Sequence, residues 1–428
     1  MGWMALGAGA AFLMSGAAIA YVIGATSVLA FLATDHTRYL AALPQRIFSQ
    51  IDVFALMAVP LFILTGEIMN RAGLTRALVD LSMALIGRLR GGLGHVNILT
   101  SVFFAGISGS AIADAAALST TVVPEMTDRG YAPPYAAALT AASSVVGPII
   151  PPSIVLILYG AVMQTSVAAL FVAGIVPGLL LAVVLMGVNG FMSRTIDVRP
   201  TACDAGLALG TATWRALPAL SLPVIIIGGI VVGLMTPTES AAVAVVAAIV
   251  AGGCRRGLNI GIVQAALHST VKLTGSTFII LGAAATLGYL GALLQWPQHL
   301  AQGMAEAGLD GGGFLLVMLG LFLLAGMVVD LPVTLFLIVP LLAPVALTQG
   351  LDPTHLGIVI CFVLCIGLIT PPLGICLIVT STVTGVPYWQ IARAVLPFVT
   401  AEIAVLLVLA FVPEISLFLP RLFGLTAA

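Results

Sequence analysis

Charge is what this sequence has least of. Only 7% of its 428 residues are Asp, Glu, Lys or Arg, against about 25% in an average soluble domain. With 61% hydrophobic residues beside that shortage, the surface is expected to meet lipid, not water. A formal net charge of −1 and the absence of any basic run of five or more residues remove the electrostatic case for nucleic acid. The five cysteines (Cys203, Cys254, Cys361, Cys365, Cys376) include no C-x-x-C pair and no histidine at ligand spacing, which argues against disulfides and zinc. Cys361 and Cys365, one turn apart, read as small residues between helices. No G-x-x-x-x-G-K-[ST] stretch is present, so ATP hydrolysis in this chain is excluded as an energy source, and no H-E-x-x-H occurs. The five histidines (His36, His95, His268, His299, His355) fall in or next to predicted loops, which speaks against a proton relay. No Lys or Arg precedes Arg38, so the first apolar run lacks a basic leader and is expected to be a retained span.

What remains is long apolar sequence. Met4 to Ala33, Phe171 to Met192 and Ile391 to Leu419 are among the stretches that exceed the roughly 20 residues needed to cross a bilayer core. A shift of 220 residues aligns the chain with itself: Gly106 with Gly326, Pro124 with Pro344, Pro133 with Pro353, Gly147 with Gly367, and Pro151-Pro152 with Pro371-Pro372. The shared element is G-x-I-x-P-P inside an apolar run. Proline removes a backbone donor and clashes with the preceding turn, so each pair must break its helix. Within a membrane such breaks persist only in protein-lined or water-lined sites.

Each break is preceded by a second interruption, at Ala105 to Asp114 and at Ala325 to Thr334. The flanking pieces, expected at about 10 to 16 residues, are too short to span alone and predict re-entrant hairpins at Asn97 to Thr127 and Gly313 to Gln349. The nine spans expected are Met4 to Ala33, Asp52 to Met69, Tyr135 to Ala168, Phe171 to Met192, Pro218 to Met235, Ser240 to Gly252, Gly275 to Leu293, His355 to Thr384 and Ala394 to Leu417. With these, 12 of the 15 cationic residues fall on one face, leaving Arg38, Arg46 and Arg421 opposite. That face is expected to be cytoplasmic, with the N-terminus inside and the C-terminus outside. Five crossings separate the hairpins, so the duplicates are inverted, a pattern of secondary transporters that bind solute at the repeat interface. The predicted fold is an all-α polytopic membrane protein of two inverted repeats, each with a re-entrant hairpin and a broken helix. Its parts are 1–96 (scaffold spans and interfacial arm), 97–170 (first hairpin and broken helix), 171–312 (scaffold spans and connections), 313–387 (second hairpin and broken helix) and 388–428 (C-terminal span). The arm is the segment Asp35 to Gln50, whose apolar stripe suits an interfacial helix.

Asp114 and Asp330 lie inside apolar hairpins, where a carboxylate costs at least about 2.5–3.5 kcal/mol. Asp114 reads as an ion ligand or as a cap on the second half-helix. Asp330, before Leu331-Pro332, reads at least equally as an N-cap. Ser108, Gly109 and Ser110 form a tip with hydroxyl ligands for a hard cation. With the breaks, the candidate Na⁺ and substrate residues are Ser108, Gly109, Ser110, Asp114, Gly147, Ser153, Gly326, Asp330, Gly367 and Thr370, and Pro151, Pro152, Pro371 and Pro372 are the breakers. No Lys or Arg falls in either hairpin or broken helix, so half-helix N-termini would have to attract an anion. Thr236 to Ser240 reads as a capped turn, and Glu67 and Glu402 lie toward span ends, Glu402 the more interior. An intramembrane enzyme would need a histidine or lysine to activate the tip serines, and the hairpins have none.

Val59 to Gly73, Gly106 to Leu118, Ala137 to Ser153, Thr236 to Ala244 and Gly367 to Gly374 carry a resemblance that covers essentially the whole chain. It resembles the large membrane subunit of the tripartite ATP-independent periplasmic (TRAP) transporters. The resemblance implies a bacterial inner-membrane, Na⁺-coupled importer of organic acids such as dicarboxylates or sialic acids, without an organic cofactor. It implies an elevator in which the hairpins and broken helices slide against a scaffold. The partners implied are a small four-helix membrane subunit and a periplasmic solute-binding protein, in which most selection lies. By motif position the family's Na⁺ and substrate region falls on Ser108, Ser110 and Asp114, on Gly147 to Ser153 and on Gly367 to Thr370. Ser153 has Leu373 as its counterpart, so the two halves are not chemically alike. The alternative is a stand-alone ion-coupled carrier or channel on the same fold.

Overall fold

The computed structural model describes residues 7, 9, 11–89, 91–194, 208–254, 258–306 and 311–425. Among them all regular structure is helical. Of the cationic residues sorted above, Arg90, Arg199, Arg255 and Arg256 lie outside the described residues, as does Cys203.

From Ile19 onward the chain forms α1 (Ile19–Ala33), a 3-10 turn and α2 (Leu43–Ile51), then α3 (Ala58–Arg71) and α4 (Leu74–Ile86). The first span does not run unbroken from Met4. Ser15 and Gly16 form a turn, with Gly16 at φ +75°, and a new helix starts at Ile19. Hydropathy is blind to this bend, which needs only a Ser-Gly pair. The charged segment after α1 forms the expected short amphipathic elements, and Ile47 and Ile51 of α2 sit against Gly282.

Next comes the first hairpin, α5 (Gly92–Ser108) and α6 (Ala111–Asp128), then a broken helix of α7 (Pro133–Ser144) and α8 (Ile154–Met163). After α9 (Val167–Met192) follow α10 (Leu209–Val231), α11 (Pro237–Cys254), α12 (Ile260–Leu293) and α13 (Trp296–Glu306). The second hairpin is α14 (Gly311–Gly326) and α15 (Leu331–Thr348), and the second broken helix is α16 (Pro353–Gly367) and α17 (Ile375–Thr384). The chain ends with α18 (Tyr388–Ala394), α19 (Leu396–Phe411) and α20 (Glu414–Leu422), α18 and α19 meeting at a 48° bend.

Both sequence-predicted breaks are present, and both Pro-Pro bonds are cis. The hairpin arms are 16 to 18 residues, at or above the upper end of the expected length, and one of them, Leu331–Thr348, is by itself long and apolar enough to cross a membrane. The span expected at Gly275 to Leu293 is the end of the 34-residue α12, which starts on an Asn259 side chain accepting the Ile262 N–H at 2.8 Å. Lys272 and His268 interrupt hydropathy there without interrupting the helix. His95 and His268 are therefore helical, not in loops, and His355 is in the first turn of α16.

Packing places the broken helices at the centre. All of α7 from Tyr135 and all of α16 from Thr354 are buried, whereas α10 turns Trp214, Leu217 and Val224 outward. The halves exchange segments: α8 packs on α15 and α16, and α17 packs on α6 and α7. Tyr159 of α8 donates to the Pro353 carbonyl at 3.1 Å, and its ring fills the space beside Gly357, where a Cβ would stand 2.5 Å from it. Helices α11 and α12 each pack on α3, α12 also packs on α15, and α1 and α2 are laid on α12.

Candidate functional site

At the first tip, α5 ends on Gly109 in the left-handed region (φ +59°), and α6 begins on Ser110, whose hydroxyl accepts the Ala113 N–H at 3.4 Å. A Cβ on Gly109 would stand 2.6 Å from the Pro152 carbonyl oxygen, so glycine lets the tip seat against the first break. Ser153 caps α8, accepting the Leu156 N–H at 3.2 Å while donating to the Pro148 carbonyl.

Asp114 is fully buried one turn into α6. Its Oδ1 accepts a hydrogen bond from the Ser108 hydroxyl, and Ser108 Oγ accepts the Ser110 N–H at 3.1 Å. Its Oδ2 has no hydrogen-bond partner. That oxygen faces the break: a Cβ on Gly147 would stand 2.2 Å from Asp114 Oδ2 and 3.1 Å from the Ser144 carbonyl oxygen. Of the two roles open to Asp114, the cap belongs to Ser110. The Ser144 carbonyl accepts the Gly147 N–H at 3.1 Å and Asp114 Oδ2 is left without a donor, so the carboxylate oxygen is the unsatisfied atom at the break.

The second half is built differently. Asp330, 220 positions after Ser110, is the N-cap of α15, its Oδ1 accepting the Leu331 N–H at 2.8 Å. The counterpart of Asp114 is Thr334, whose hydroxyl donates to the Asp330 carbonyl at 3.3 Å. Gly326 and Gly367 meet backbone to backbone, a Cβ on Gly367 falling 2.6 Å from the Gly326 carbonyl carbon. The Thr370 hydroxyl is turned back on the Ile366 carbonyl at 2.7 Å.

Both tips open on one cavity of about 220 Å³. Ser108 to Ala113 and Asp330 to Pro332 line it together with Ile154 and Val155, so the N-termini of α6, α8 and α15 converge there. Pro148 and Leu368 bring in the two breaks, while Thr370 is not among the lining residues. The far wall comes from α3 (Ile63, Gly66, Glu67, Asn70) and α12 (Leu273, Ser276, Thr277, Ile280). No Lys or Arg lines it; Arg71 pairs with Glu67 at 2.8 Å and donates to Ser269 at 3.0 Å. The first-turn N–H groups left over by the caps and the helix dipoles draw negative charge toward these N-termini, and the Asp330 and Glu67 carboxylates share the lining. Sequence reasoning placed neither Glu67 nor Asn70 at the site; their sole signal was a place in the Val59 to Gly73 motif.

A buried polar seam holds the first hairpin to α7. Asn97 donates to Thr140 at 2.6 Å, Ser143 donates to Asn97 at 3.0 Å, and Ser101 donates to Ser143 at 3.0 Å. At the same shift the second half has Val317, Ile360, Val363 and Leu321, all apolar. Thr236 and Glu239 form the expected capping box, the Thr236 N–H donating to Glu239 at 2.7 Å and the Glu239 N–H to Thr236 at 3.3 Å.

A family model for the DctM component of tripartite ATP-independent periplasmic transporters matches residues 6–415. The chain is 38% identical to the sialic acid TRAP transporter large permease protein SiaM of Vibrio cholerae, over 92% of this chain and 93% of that one. It is 37% identical to the C4-dicarboxylate TRAP transporter large permease protein DctM of Pseudomonas aeruginosa, over 94% of each. Among solved structures, the Alcanivorax borkumensis YdaH transporter shares the fold, with a TM-score of 0.64 at 16% identity over 90% of each chain. The chain belongs to the DctM family of large permease subunits of tripartite ATP-independent periplasmic transporters.

Proposed function

We propose that this subunit couples inward Na⁺ movement to uptake of a small organic carboxylate. The observation that carries the reading is Asp114: fully buried, with Oδ2 unpartnered and directed at the Gly147 break. Asp114, Ser108 and the Ser144 carbonyl would hold the cation. The adjoining cavity, with three helix N-termini and no cationic side chain, suits a carboxylate. Relatives are named for sialic acid, C4-dicarboxylates and 2,3-diketo-L-gulonate, all acids.

The two halves are read as inverted repeats, with the N-terminus cytoplasmic and the C-terminus periplasmic in a bacterial inner membrane. The moving body comprises 97–170 and 313–387. We extend it to α9 and α19, which pack on α16 and on each other. That body slides as an elevator past α3 and α12, which wall the cavity. A periplasmic solute-binding protein delivers the substrate, and a small membrane subunit braces the scaffold; a relative from Oleidesulfovibrio alaskensis is named as a DctMQ permease, and this chain spans 65% of its length. Each cation moving inward gains about 2.3 kcal/mol per 100 mV of membrane potential.

The test is uptake into proteoliposomes holding the complex, with binding protein outside. Accumulation against a gradient that needs inward Na⁺, and that Asp114→Asn abolishes, is expected. Uptake indifferent to Na⁺ would overturn the coupling, and equilibration without accumulation would make the chain a channel or uniporter.

A further inference from the structure

Glu402 sits mid-way along α19 and is fully buried, and neither of its carboxylate oxygens has a hydrogen-bond partner. The buried face of α19 on which it lies is otherwise Phe398, Val399, Val405, Leu406 and Leu409. An ionised carboxylate so placed, with no protein donor to either oxygen, is costly, and an intramembrane acid marks a functional site.

The surrounding elements supply no counter-charge. Helix α9 has no titratable residue, and the position equivalent to Glu402 there is Ala182. From α16, His355 is bonded to Ser416 at 2.7 Å, and Cys365 is the group within electrostatic reach of Glu402; Cys376 of α17 reaches it as well. On α7 the Tyr135 hydroxyl is committed to Asn189 at 2.9 Å, and on α18 the Tyr388 hydroxyl to Pro372 at 2.7 Å, while Arg393 is exposed. A sodium ion needs several oxygen ligands, and the buried face of α19 around Glu402 is hydrocarbon. A proton needs one oxygen. The Ala182 half builds the same kind of helix without an acid, so packing does not require one.

We propose that Glu402 is a proton-binding site of the moving body, holding its proton in this sealed conformation and releasing it in another. Protons then enter the transport cycle beside the cation at Asp114. The proposal rests on the transport reading above for its consequence, but not for the proton itself. The conformation with the tighter-bound proton is favoured at low pH and loses that advantage as pH rises, by up to about tenfold per pH unit for one proton.

The experiment is infrared spectroscopy of the intact complex in lipid discs, with this chain labelled by ¹³C-glutamate. A label-shifted carbonyl band of a protonated, non-hydrogen-bonded acid at neutral pH is expected, weakening when Na⁺ and substrate drive the cycle and missing in Glu402→Gln. No such band, or a band unmoved by any condition that changes conformation, would overturn the proposal. The wild-type band decides even where the variant does not fold. In proteoliposomes at a fixed Na⁺ gradient, wild-type uptake is expected to fall with rising pH, and Glu402→Gln to flatten that profile; a wild-type profile in the variant also overturns it. A responsive band without Na⁺-driven uptake counts against the transport reading alone.

Discussion

Asp114 Oδ2 lies so close to Gly147 that a β-carbon there would stand 2.2 Å away. The carboxylate thus occupies the space a side chain would take, and the break supplies backbone in exchange. Gly147→Ala should push the carboxylate aside at a cost of about 1–3 kcal/mol, lowering apparent Na⁺ affinity by about tenfold to a hundredfold. Gly320→Ala, in a helix with nothing within 4 Å of the added carbon, is the control and should leave uptake unchanged. Na⁺ titrations of uptake by the two variants make the comparison, and equal affinities would dissociate Gly147 from the cation.

The acidic residues of the two tips should part company on mutation. Asp330 caps α15, and loss of a cap costs about 0.5–2 kcal/mol. Asp330→Ala should therefore lower thermal stability equally in Na⁺ and in K⁺, and Asp330→Ser should restore it. Asp114→Asn should instead erase the extra stability Na⁺ gives by binding the folded state. Thermal unfolding of the purified complex in each salt separates these outcomes. A Na⁺-specific loss with Asp330→Ala would make Asp330 a ligand.

How much of this the sequence disclosed depends on how local the physics is. The tips and breaks were legible because Ser108-Gly109-Ser110 and the Pro-Pro pairs act on their own turns. The same 220-residue shift pairs Ser110 with Asp330 and Asp114 with Thr334, so the inequality of the acids was also readable. The far wall of the cavity was not. Which faces of α3 and α12 meet the tips is decided by packing between separate segments of the chain, and nothing in the pattern of Glu67, Asn70, Ser276 and Thr277 announces it. Glu402 looked closer to a span end because hydropathy runs on to Leu417, whereas α19 stops at Phe411, before Pro413.

Glu239 tests a plainer kind of role. Its carboxylate accepts the Thr236 N–H and hydroxyl at 2.7 and 2.9 Å at the start of α11, on an exposed turn. Glu239→Gln should lower the amount of protein in the membrane and leave the Na⁺ affinity of the protein that remains unchanged. Quantitative blotting beside Na⁺ titration checks both halves of the statement. Normal abundance with weakened Na⁺ affinity would show that the turn communicates with the cation site.

The proposed inversion can be read from two residues at equivalent positions. Asp128 ends the first hairpin and Thr348 the second; they are 220 apart, both exposed, and each is followed two positions later by a glycine in the left-handed region, Gly130 at φ +92° and Gly350 at φ +83°. If the repeats are inverted, Asp128→Cys should react with a membrane-impermeant maleimide only from the cytoplasmic side and Thr348→Cys only from the periplasmic side. Cys361, Cys365 and Cys376 are buried and should stay silent, while Cys203 and Cys254 are replaced by serine beforehand. Labelling of intact cells against inside-out vesicles distinguishes the sides. Reaction of both sites from one side would mean parallel repeats, and the two tips could then no longer approach one cavity from opposite faces of the membrane.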